Sequence, residues 1–154
     1  MTERFRLRDG RVVIDLPDEE RSLLSQVLLL LADVANDEED PGNRRLNVPV
    51  YLDNPEANQE WNRWMGGELE EARKSDRDVF QRVMRAPGPQ TMSEDDANAL
   101  LRVLNEGRLV FAARLGIEVA SDHERVPDMD RAALDYMGWI LEDLTDTLMG
   151  GLGD

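Results

Sequence analysis

The chain contains no cysteine and one histidine. Without thiols, its own side chains form no disulfide, no zinc–thiolate site and no iron–sulfur cluster, and thiol-based redox sensing is excluded. The one imidazole, His123, falls in a polar loop and is expected to be a solvated surface residue, which leaves little of the usual acid–base chemistry near neutral pH. Basic residues are also in short supply, 18 against 33 acids, and the resulting net charge of −15 repels phosphate backbones and anionic lipid. Broad nucleic-acid or membrane binding is not expected. No run approaches the roughly 20 apolar residues that cross a bilayer, and the N-terminus lacks a signal-peptide core, so a cytoplasmic protein is expected. Missing too are the Gly-x-x-x-x-Gly-Lys, Gly-x-Ser-x-Gly, Gly-x-Gly-x-x-Gly and His-Glu-x-x-His patterns. The expectation is a protein that is not an enzyme, with no cofactor and no metal.

What is present suffices for a folded core. A length of 154 residues with 41% hydrophobic composition suits a single domain over residues 1–154, mainly α, with a β-hairpin at 4–15 and a bundle of four to five helices over 17–149. Asp9-Gly10 between Phe5–Arg8 and Arg11–Ile14 supplies the positive φ angles of a two-residue hairpin turn. Pro17 followed by Asp18, Glu19 and Glu20 starts a helix, because proline fixes φ and carboxylates complement the positive helix end. Leu23, Leu24, Val27, Leu28, Leu31 and Val34 continue it at spacings of three and four.

The acidic run 36–43 reads as an exposed loop. Asn54-Pro55 caps a second helix to about Lys74, with Gly66-Gly67 inside it and a break expected at Ser75-Asp76. Ser93 caps a third, whose apolar face is read as Ala97, Leu100, Leu101, Leu104, Phe111, Ala112 and Leu115, ended by Gly116. A last helix carries Leu134, Met137, Ile140, Leu141, Leu144 and Leu148.

Three groups of residues are candidates for function. Arg4, Arg6 and Arg8 alternate with Phe5 and Leu7, so a strand projects them from one face, with Arg11 across the turn; they suit a phosphate backbone or an acidic protein surface, or simply protect a sheet edge. Trp61, Trp64 and Trp139 are candidate interface residues, because tryptophan is enriched where binding energy concentrates, with core packing the alternative for at least one. The carboxylates Asp37–Asp40, and Glu142, Asp143 and Asp146, lack metal-loop or paired-acid spacing and read as solvated faces.

Leu104-Asn105-Glu106-Gly107-Arg108-Leu109 followed by Arg114-Leu115-Gly116, Arg45-Leu46 with Pro49 and Tyr51, and the aromatic and leucine-rich segment 136–148 together resemble the actinobacterial AosR-like family, a domain of unknown function in part named as oxidative-stress transcriptional regulators. Leu100 stands where that family carries tryptophan, Ala112 where it carries glycine, and Glu106 where aspartate is common. The resemblance implies a regulatory role, while the lack of cysteine removes any thiol mechanism. It also draws attention to Arg45, Tyr51, Asn105 and Arg108, as a buried structural network or as the lining of a functional groove.

Together these readings lead to a non-enzymatic regulatory protein acting through protein contacts, with the transcription machinery as expected partner. Any DNA contact is weak and confined to the hairpin, and a homodimer is conceivable. An adaptor in protein turnover, with protease components as partner, is the alternative, since family members are often encoded beside the ClpS adaptor. A carboxylate- and metal-dependent enzyme is the remote third.

Overall fold

Asp9 and Gly10 adopt φ angles of 53° and 77°, the turn that their dipeptide demands, and they join β1 (Phe5–Arg8) to β2 (Arg11–Ile14). A computed structural model describes residues 3–46, 54–117 and 119–150; the side chains of Asn58, Trp61, Asn62, Trp64, Met65 and Ala120 lie outside that description. The hairpin is only part of the sheet. A third strand, β3 (Gln90–Met92), pairs antiparallel with β2, giving the order β1-β2-β3. Phe5, Val12, Ile14 and Met92 are buried on the inner face, and Leu7 on the same face lies near the end of the last helix.

The structure has five α-helices, α1 (Asp18–Ala35), α2 (Pro41–Leu46), α3 (Pro55–Arg85), α4 (Glu94–Arg114) and α5 (Asp128–Gly150), with a 3-10 turn at Ala120–Arg125 before the last; all but α2 fall where helices are expected. The Asn54 side chain accepts from the Ala57 N–H at 3.0 Å, and Ser93 Oγ from the Asp96 N–H at 3.1 Å, so both expected caps are formed. Gly116 closes α4 at φ 77°.

Two readings are corrected by side-chain partners. The loop expected at 36–43 contains the start of α2, because Asp40 Oδ1 accepts the Gly42 N–H at 2.8 Å and turns the chain into a helix. The break expected at Ser75-Asp76 is absent: α3 is continuous, and Asp76 is buried in a two-point ion pair with Arg102 of α4, at 2.8 Å on each oxygen.

The helix α4 lies at the centre, packed against α1, α2, α3, α5 and the sheet. Its buried residues are Ala97, Ala99, Leu100, Val103, Leu104, Gly107 and Val110, whereas Leu101, Phe111, Ala112 and Leu115 of the expected face are only partly covered. A helix enclosed on several sides buries a wider arc than one amphipathic stripe. Among the described residues no helix is long and apolar enough to cross a membrane.

Candidate functional site

The segment Leu104–Leu109 separates into packing residues and residues that packing does not use. Leu104 is fully buried. Glu106 reaches α3, with Arg77 at 3.2 Å and Arg73 at 4.0 Å. Gly107 lets α1 and α5 approach, since a Cβ there would stand 2.5 Å from Val27 Cγ1 and 3.3 Å from Met137 Cε. Asn105 and Arg108 remain, and both are exposed. The buried network expected for them is therefore not formed by the described residues: Arg45 is also exposed, on α2, and Tyr51 lies outside the described residues. Asn105 and Arg108, three residues apart, belong to the flank of α4 that turns toward α5.

That flank forms one wall of an open groove of about 560 Å³ between α4 and α5, lined by Arg102, Asn105 and Arg108 on one side and Glu142, Thr145 and Asp146 on the other. Arg108 lies over Gly138, where a Cβ would stand at an ordinary contact distance of 3.8 Å from its Cζ.

Trp139 stands on the outward side of α5 with 62% of its surface exposed. Helical spacing places Asp135, Glu142 and Asp143 on its side of the helix at i−4, i+3 and i+4. Most of this indole is left in solvent beside those carboxylates and contributes little to the core. Trp61 and Trp64 belong to the N-terminal half of α3, and their side chains lie outside the described residues.

The arginines of the hairpin divide into two sets. Arg4 precedes the strand, meets Glu20 at 3.0 Å and Asp143 at 3.7 Å, and sits 6.0 Å from the centre of the Tyr136 ring, tying the sheet to α1 and α5. The Tyr136 hydroxyl beside this cluster is buried without a hydrogen bond of normal geometry. Burial first, and then the neighbouring Glu20 carboxylate, raise its pKa well above the ordinary value for tyrosine. Arg6, Arg8 and Arg11 share the outer face of the sheet with Val13 and Thr91.

His123 is not a free surface imidazole. It pairs with Asp135 at 3.0 Å, both being partly exposed, and links the 3-10 turn to α5. Of the acidic run, Asp40 is taken up by Arg114 at 2.8 Å, which also holds Asp33 at 2.8 Å, while Asp37, Glu38 and Glu39 remain exposed. Among the described residues no group of three or more His, Asp or Glu is placed to hold a metal ion.

The architecture defines a helical protein built around one central helix and edged by a small antiparallel sheet. The chain belongs to the family described as Domain of unknown function (DUF2017), whose model matches residues 2–148. No curated protein and no solved structure matches it.

Proposed function

We propose that this is a non-enzymatic regulatory protein that acts through protein contacts, in keeping with its resemblance to the AosR-like transcriptional regulators, and that its contact surface is centred on α5. The observation that carries the reading is Trp139, a large amphipathic side chain held in the open on a rigid helix. The grooves on either side of α5 and the net charge of −15 favour a protein partner with basic residues over a nucleic acid. Any nucleic-acid contact is assigned to Arg6, Arg8 and Arg11, since Arg4 is already paired.

Affinity capture from the native lysate, after nuclease treatment and salt washing, tests this with wild type and Trp139→Ala side by side. The expected result is recovery of components of the transcription machinery by wild type and their loss with the variant. Identical recovery by both contradicts the assignment to α5, and recovery of protease components in their place would move the reading to an adaptor in protein turnover.

A further inference from the structure

We infer that the groove between α1 and α5 is the seat of a basic amphipathic helix contributed by the protein partner; this rests on the protein-contact reading above and names its site and partner chemistry. Both α1 and α5 lie against α4, and their backbones stay largely apart, with Glu20 of α1 beside Tyr136 of α5. The gap between them is floored by α4 at Phe111 and walled by Leu23 and Leu30 on one side and by Ala133, Tyr136 and Met137 on the other. Leu23 is 46% exposed, and its position one turn before Val27 and two before Leu30 makes α1 amphipathic toward the gap as well as toward the core.

Size decides between a ligand and a helix. The space is about 260 Å³. That lies below the roughly 300–1,000 Å³ of pockets that enclose drug-sized ligands. Two turns of helix with side chains occupy on the order of 800 Å³, from a 10 Å diameter and 5.4 Å pitch. The gap therefore admits apolar side chains from a helix that rests across its mouth, which is how amphipathic helices enter grooves, through anchors at i, i+3, i+4 and i+7.

Charge selects the partner. The depression continues past Leu23 and Gln26 to Asp18 and Glu19, both exposed. On α5, Asp143 is half exposed; α1 carries Asp33 near its far end, and the turn that follows α1 holds the exposed Asp37, Glu38 and Glu39. The nearby cations are already engaged: Arg4 and Arg114 are each shared between two carboxylates, and Arg21 of α1 holds Asp18, so Glu19 carries the open negative charge at that end. A second copy of this chain would bring another −15 to the same rim, whereas a helix with lysine or arginine beside its apolar stripe meets opposite charge.

The probe is an end-capped Leu/Lys amphipathic helix of about 15 residues, long enough to form on binding. Its controls are the same peptide with Glu for Lys, and a basic peptide with the leucines shuffled off one face. Binding is measured by titration calorimetry at about 0.15 M salt, where long-range attraction is screened beyond ~8 Å. Leu23→Asp is expected to weaken the Leu/Lys helix by about tenfold or more, the loss of one apolar anchor. This holds although the substitution adds negative charge, while Leu29→Asp, with the same charge change at an exposed position on another side of α1, leaves binding unaltered.

On the wild-type protein, peptide-induced amide shifts are expected at 23–30 and 133–137, a readout independent of how well the variant folds. Equal binding by the shuffled peptide, undiminished binding by Leu23→Asp, or shifts elsewhere overturns the groove assignment. So does wild-type self-association that Leu23→Asp abolishes, which would give the groove to a second copy. The protein-contact reading fails separately, if the wild-type protein captures no partner protein; identical capture by wild type and Trp139→Ala removes only its assignment to α5.

Discussion

Gly107 and Gly42 stand where neighbouring side chains leave no room for a methyl group. At Gly42 a Cβ would come 2.7 Å from Val110 Cγ1. At Gly107 the obstacle is Val27 Cγ1 at 2.5 Å, on a β-branched residue with little rotamer freedom in a helix. Alanine would gain about 1 kcal/mol of helix propensity, against overpacking of about 1–3 kcal/mol. Gly107→Ala is expected to lower stability in urea denaturation, with Val27→Ala recovering part of the loss in the double variant. A stabilised Gly107→Ala would contradict the close approach of α1. Asp40 offers a test in pH. Its folded-state pKa is lowered, first by the hydrogen bond from Arg114 and then by the Gly42 N–H, so its contribution is present above the usual aspartate value of about 4 and is lost as pH falls through the lowered value. Melting temperatures measured downward from neutral pH should therefore decline less steeply for Asp40→Asn than for wild type. Parallel curves would argue against the Arg114 pair.

At the scale of elements, the helices depend on caps that local chemistry specifies. Ser93→Ala removes the acceptor for the Asp96 N–H at the head of the central helix and is expected to cost about 1 kcal/mol in thermal or denaturant unfolding. An unchanged stability would mean that water replaces this cap. Such caps, the Asp9-Gly10 turn and the Gly116 stop were legible in the sequence because each is a short-range rule acting on two or three residues. The third strand was not: Gln90-Thr91-Met92 is too short to show alternation, and it is a strand because β2 offers it an edge. Continuity of α3 through Ser75-Asp76 was equally hidden, since the residue that stabilises it, Arg102, comes from a different helix. For the same reason the candidate site was only partly readable. The exposure of Trp139 and the gap between α1 and α5 follow from how helices pack on α4, and no single segment encodes that.

The whole molecule carries 33 acids against 18 basic residues. Its exposed ion pairs contribute only about 0–1 kcal/mol each, while repulsion among the excess carboxylates opposes the compact state. Added salt screens that repulsion, so the melting temperature should rise between about 0.01 M and 0.2 M sodium chloride, over which the Debye length falls from ~30 Å to under ~8 Å. A fall would show that the ion-pair ties outweigh the net charge. The same field makes α5, with its exposed indole and its apolar and polar flanks, a surface suited to a basic protein partner. Site-specific photo-crosslinking in the native cell tests that claim most directly, with a photoreactive residue at position 139 of α5 and, as control, at position 78 on the exposed side of α3. The account predicts a discrete crosslinked protein from position 139 that is missing from position 78. No adduct at 139, or the same adducts at both positions, would contradict it.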